Sequence, residues 1–96
     1  MKPNEGTDRE MPRYKSHKEV WALKIKEIQD PTVPGNESDG SRIMVPEEPG
    51  YAPFRVEHDW IRKHEPYPGG YYVVYADGYK SFSPASAFES GYTRVN

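Results

Sequence analysis

The stretch Gly69-Gly70-Tyr71-Tyr72-Val73-Val74-Tyr75-Ala76-Asp77-Gly78-Tyr79-Lys80-Ser81-Phe82-Ser83 decides the fold class. Two runs rich in β-branched and aromatic residues flank Asp77-Gly78, a dipeptide suited to a tight hairpin turn. A two-residue type I′ turn pairs Ala76 with Tyr79, Tyr75 with Lys80, Val74 with Ser81 and Val73 with Phe82. A three-residue turn with a bulge shifts that register and turns one strand over; the two-residue turn is the expectation. Beyond the hairpin, Ser83 is placed to cap a short helix with Pro84 at its first position. Ala85, Ala87 and Phe88 lie within that helix and Gly91 just past its end. Tyr92 to Val95 reads as a closing strand.

Upstream, Val20 to Ile28 reads as a strand: Trp21, Leu23 and Ile25 alternate with Ala22, Lys24 and Lys26. Arg42 to Val45 is a second short strand, stopped by Pro46. Val56, Trp60, Ile61 and His64 fall on one helical stripe, which predicts a helix over Val56 to His64 with Glu57, Asp59 and Lys63 facing out. Asp59 and Lys63 have i,i+4 spacing. The fold class is therefore α+β: a small antiparallel sheet or partly open barrel of about four short strands with two short helices. Residues 1–13, with three prolines or glycines and no apolar period, read as a disordered arm. Residues 14–96 form a single domain, and the Pro-, Gly- and Ser-rich segment 30–41 is a long loop within it.

Composition narrows the function. The chain has 96 residues, 13 basic and 15 acidic, for a formal charge of −2, which argues against DNA binding. Only 34% of residues are hydrophobic, yet 14% are aromatic, so a thin but folded core is expected. Oligomerisation stabilises such chains, and a homo-oligomer is the expectation. There is no cysteine, so disulfides, thiolate metal sites and thiol nucleophiles are absent. No apolar run approaches the length of a membrane span, and no signal-peptide pattern opens the chain.

Catalytic and metal signals are weak. His58 and His64 are six residues apart, about 120° out of alignment on a helix, whereas metal-binding pairs sit at i,i+4. Their companion His17 stands alone in sequence. No nucleophile elbow occurs, and Gly69-Gly70 precedes a strand rather than the helix that a phosphate loop needs. The carboxylates Glu47, Glu48, Glu57 and Asp59 fall at exposed positions. The chain is read as a non-enzyme with no metal and no cofactor.

Charge and aromatic placement point to binding. From Arg13 to Lys26 there are five basic side chains against Glu19 alone; from Glu27 to Asp59 there are eight acidic against two basic. Lys18, Lys24 and Lys26 share parity, so on a strand they form one basic face opposite Trp21. That face either meets a phosphate-bearing ligand or an acidic surface, or is a solvated face whose lysines deter edge pairing. Tyr71, Tyr72, Tyr75, Tyr79 and Tyr92 cluster around the hairpin. Tyrosines there either pair across strands or line a groove with Lys80 and Ser81. The candidate ligand-binding residues are Lys18, Trp21, Lys24, Tyr72, Tyr79 and Lys80: lysines to neutralise phosphate, rings to stack on a base.

The segment Tyr14-Lys15-Ser16-His17-Lys18 running into Val20-Trp21-Ala22-Leu23-Lys24-Ile25 resembles the opening of a group of small phage and prophage proteins. So does the run from Pro68 through Asp77-Gly78-Tyr79 to Ser83-Pro84-Ala85, Ala87-Phe88-Glu89 and Gly91-Tyr92-Thr93. The resemblance covers residues 14–28 and 43–95. It implies an accessory protein in the cytoplasm of an infected bacterial cell, of a kind that often acts on host defence. On that basis the expected function is sequestration of a small anionic ligand such as a cyclic nucleotide immune signal. The alternatives are direct inhibition of a host protein and a minor structural or assembly role in the virion.

Overall fold

One long strand organises the chain. In the computed structural model, which describes residues 10–15, 18–31 and 39–95, β2 (Glu19–Gln29) runs for 11 residues. Its first half is apolar on both faces, so Val20 and Ala22 are buried on one side and Trp21, Leu23 and Ile25 on the other. β5 (Tyr71–Tyr75) pairs antiparallel along one edge, from Val20↔Tyr75 to Lys24↔Tyr71. β1 (Arg13–Lys15) and β3 (Arg42–Pro46) share the opposite edge, because Ala22 N–H donates to the Pro12 carbonyl while the Lys24 carbonyl accepts from Glu47 N–H. Backbone groups of same-parity strand residues point to the same edge. The change from β1 to β3 falls between Ala22 and Lys24, and a register shift between Ile25 and Glu27 then interrupts the β2–β3 pairing.

Shorter strands extend this frame. β4 (Phe54–Val56) pairs with β3, β6 (Lys80–Ser83) with β5, and the two-residue β7 (Thr93–Arg94) with β1. The result is a seven-stranded antiparallel sheet, ordered β4-β3-β2-β1-β7 with β5 and β6 branching from β2, and it does not close into a barrel. The expected count of about four strands is therefore too low. β1 and β4 have three residues each, too few to display an alternation.

The hairpin adopts the bulged turn. Its pairs are Val74↔Lys80, Val73↔Ser81, Tyr72↔Phe82 and Tyr71↔Ser83, one residue away from the expected register. Type I′ geometry requires positive φ at both central residues. Here Gly78 has φ +92°, whereas Glu65 is the sole non-glycine with positive φ among the described residues, so Asp77 does not meet that requirement. Gly78 N–H closes the turn on the Tyr75 carbonyl at 2.8 Å, and the Asp77 carboxylate accepts Tyr79 N–H at 2.9 Å.

Two cores result. The first gathers Met11, Trp21, Leu23, Ile25, Met44, Phe54, Val56, Tyr72 and Val74, with Trp60 and Ile61 of α1 (His58–His64) packed against it. Val56, expected at the start of this helix, ends β4 instead. The second core holds Val20, Ala22, Tyr71, Val73 and Phe88, the last contributed by α2 (Ala85–Gly91). Phe88 stacks on Tyr71 at 4.3 Å and on Tyr92 at 4.7 Å, while Tyr14 meets it edge-on at 4.8 Å. Pro84, not Ser83, is the N-cap of α2, and no side chain caps it. On the outer edge of β6, the Trp60 indole N–H donates to the Lys80 carbonyl at 3.1 Å, occupying an acceptor open to edge pairing.

Residues 1–9 and 32–38 of the expected arm and loop lie outside the described residues. Glu10–Arg13, which composition assigns to the arm, is built into the fold: Met11 and Pro12 are buried, and Glu10 accepts the Trp21 indole N–H at 2.7 Å. At the loop's far end, Asp39 accepts both the N–H and the hydroxyl of Ser41 and pairs with Arg55. Among the described residues, no helix is long and apolar enough to cross a membrane.

Because α2 places one large buried side chain, Phe88→Ala should cost about 3–5 kcal/mol in urea unfolding. Tyr79→Ala, at a position 44% exposed, should cost about 1 kcal/mol or less.

Candidate functional site

The bulged turn sets the position of the most exposed ring of the hairpin. Tyr75 and Tyr79 are joined by the Tyr75 N–H to Tyr79 carbonyl bond at 2.9 Å, and their rings stack at 5.8 Å with an interplanar angle of 14°. Beside them opens a groove of about 720 Å³, walled by these rings and Tyr92, with Lys18, Glu19 and Asp77 along it. Tyr92 is held by its stack on Phe88, so the groove wall is fixed by the second core. Lys63 reaches over from α1, its ammonium 5.1 Å from the Tyr79 ring centre, in the range of a cation–π contact. His64 approaches the same ring edge-on at 6.2 Å and packs against Trp60 at 4.9 Å.

This arrangement suits binding a flat ring and a charge. Tyr79 offers an aromatic surface, and Lys18, exposed, supplies a cation at the groove. Glu19, paired with Arg13 at 3.4 Å, and Asp77, which also accepts Tyr79 N–H, are the carboxylates along it. Burial, and then the neighbouring Tyr75, raise the Tyr92 hydroxyl above the usual tyrosine range. Among the described residues, no group of three or more His, Asp or Glu side chains gathers as a metal site. His17 lies outside those residues.

The six expected binding residues do not form one site. Lys18 and Tyr79 share the groove. Trp21 is 8% exposed and Tyr72 1% exposed, both in the first core, so neither ring presents a face to a ligand. Tyr72 instead packs against Phe54 at 4.7 Å and Trp60 at 5.3 Å. Lys24 lies on the other face of β2, 3.4 Å from Glu89, and Tyr71 donates its hydroxyl to the same Glu89 oxygen at 2.7 Å. The Tyr71 hydrogen bond, then Lys24, hold the Glu89 carboxyl below its usual range. Lys80 is exposed on β6, next to Tyr79 in sequence but not a groove wall.

The single basic face of Lys18, Lys24 and Lys26 is also revised. Lys18 precedes β2, and the register shift after Ile25 interrupts the alternation that would align Lys26 with Lys24. The face they were to share is instead covered at Val20 and Ala22 by the Phe88 cluster. Tyr75 and Tyr92 complete the groove wall, and Lys63 stands over the Tyr79 ring without lining the groove. The tyrosines were visible as part of the aromatic cluster, whereas nothing in the helical stripe marked Lys63 as a neighbour of Tyr79.

No protein-family model, curated protein or solved structure matches this chain.

His64 tests the α1 side of this site. Burial first, and the Lys63 charge second, lower its pKa below 6.5. The folded state thus binds its proton less readily than the unfolded state. The associated stability is full above pH 6.5 and declines as pH falls toward the folded pKa. Proton NMR titration should place His64 below 6.5, and Lys63→Ala should return it only part of the way, because burial remains.

Proposed function

We propose that this chain is a non-catalytic binding protein that holds a small anionic, ring-bearing ligand of nucleotide type in the groove beside the β5–β6 turn. The observation that carries this reading is the exposed Tyr79 ring, held against Tyr75 in a tyrosine-walled groove that Lys18 also lines. A base stacks on the tyrosine surface. Its phosphate lies toward Lys18, and donor groups on the base edge face the carboxylates of Glu19 and Asp77. The two carboxylates disfavour a bare anion and make the ring part of the recognition.

The resemblance of residues 14–28 and 43–95 to phage and prophage accessory proteins supports the setting. There the protein, as a homo-oligomer in the cytoplasm of an infected cell, withdraws a cyclic nucleotide signal from a host defence system. A second reading, direct binding to a host protein, is favoured by the exposure of Tyr67 and Tyr79, 50% and 44%. Tyrosine is a common anchor in such interfaces.

Thermal melting against a panel of nucleotides and cyclic dinucleotides, with light scattering for mass, tests the first reading. Ligand at about 100 times its Kd should stabilise the fold by roughly 2.7 kcal/mol, a rise of several degrees. Lys18→Glu and Tyr79→Ala should remove the rise, and Lys24→Ala should leave it. A flat panel for a folded, monodisperse protein overturns the ligand reading. Capture of a host protein that Tyr79→Ala abolishes would then establish the second.

A further inference from the structure

A separate cavity of about 360 Å³ opens on the edge of β2 where β1 has ended and β3 has not yet begun. Leu23 lines it although its side chain lies in the first core, 2% exposed, so the cavity floor there is β2 backbone. The hydrogen-bond ladder accounts for the opening. Ala22 N–H donates to the Pro12 carbonyl at 2.9 Å. In an antiparallel ladder the return bond runs from the N–H of residue 12 to the Ala22 carbonyl, but proline has no N–H. The neighbouring β1 residues offer no substitute. Tyr14 is in register with Val20, and Arg13 turns to the other edge, where its carbonyl accepts Val95 N–H at 2.9 Å. The Ala22 carbonyl is left as an acceptor without a donor from β1.

The side chains around this acceptor have a consistent character. Lys24 is paired with Glu89, and Glu48 is held by Arg94 in a two-pronged contact at 2.7 and 3.0 Å. Glu47 lines the cavity with no ion-pair partner among the described residues. Tyr14 and Tyr71 add aromatic walls, and burial is the leading cause that raises both hydroxyls above the usual tyrosine range. The Lys24 ammonium lies 5.9 Å from the Tyr71 ring centre, which leaves a carbonyl oxygen, a carboxylate with no ion-pair partner among the described residues and the Tyr14 ring as a setting suited to an N–H-rich cation.

The geometry points to this notch as a binding site for a primary ammonium or guanidinium group, which donates to the Ala22 carbonyl, is balanced by Glu47 and rests against Tyr14. A free amine and a Lys or Arg side chain of a protein partner carry the same chemistry. The site is independent of the tyrosine groove and does not rest on the reading proposed for it.

The test is a ¹⁵N NMR titration of the full chain with putrescine, and separately with an end-blocked Gly-Arg-Gly peptide, using phosphate as the probe of opposite charge. Saturable shifts of the Leu23, Lys24 and Glu47 amides with either cation support the site. Putrescine alone assigns it to free amines, and the peptide alone assigns it to a side chain. Glu47→Gln should weaken binding about tenfold, equivalent to about 1.4 kcal/mol. Pro12→Ala restores an N–H opposite Ala22 and should weaken binding as well; Glu47→Gln carries the test alone if that variant unfolds. Absence of saturable shifts with both cations, equal shifts with phosphate, or unchanged affinity in Glu47→Gln overturns the proposal.

Discussion

The structure depends on burying both faces of β2 in a chain with few aliphatic residues. A strand covered on one face would leave Val20, Ala22, Tyr71 and Val73 in water. Phe88 supplies that cover, and it does so from a seven-residue helix with one buried side chain. Its ring is fixed between Tyr71 and Tyr92, with Tyr14 at its edge. Those three tyrosines come from β5, the segment after α2, and β1, so one aromatic stack joins parts of the chain distant in sequence. Aromatic area offsets the shortage of aliphatic side chains, since each ring buries far more surface than an alanine or valine.

The same stack ties stability to the shape of the groove. Tyr92 is at once a partner of Phe88 and a wall of the groove, and Tyr75 is at once a β5 residue beside the second core and the support for Tyr79. Rings used in this way would lose little conformational freedom to the proposed ligand, because folding has already ordered them. Loss of Tyr92 therefore acts on both the core and the groove, whereas Tyr79 projects far enough to be altered with little effect on the core.

How much was legible in the sequence follows from the length of each pattern. β2 and the hairpin strands carry runs long enough to show their state as strands. The hairpin register is not legible in the same way, because Asp77-Gly78 fits two turns that differ in the φ of Asp77, and composition does not distinguish them. Val20-Trp21-Ala22-Leu23 is an unbroken apolar run, a sign of burial on both faces, but the lysines at 24 and 26 made the even positions resemble a solvated face. That inference aligned three lysines that the fold separates. It also placed Trp21 opposite them, on the face that the first core buries, where its ring has no free face for a base. Tyr72 and Tyr79 look alike in sequence; only the register places the first beneath Trp60 and the second at the turn.

The notch on the edge of β2 originates in the way β2 is shared. Two strands on one edge cannot pair with every residue between them, and the change from β1 to β3 leaves a gap at Ala22–Lys24. A longer β1 would close that gap, but Pro12 removes the donor that the next ladder bond requires. At the start of β2, the chain reaches Lys18 and Glu19 beside the β5–β6 turn, and the bulge at Gly78 carries Tyr79 out toward them. One opening is thus rich in backbone and carboxylate acceptors, while the other combines a cation with exposed aromatic surface. The two differ in chemistry because one exposes the edge of β2 and the other the side chains at its beginning.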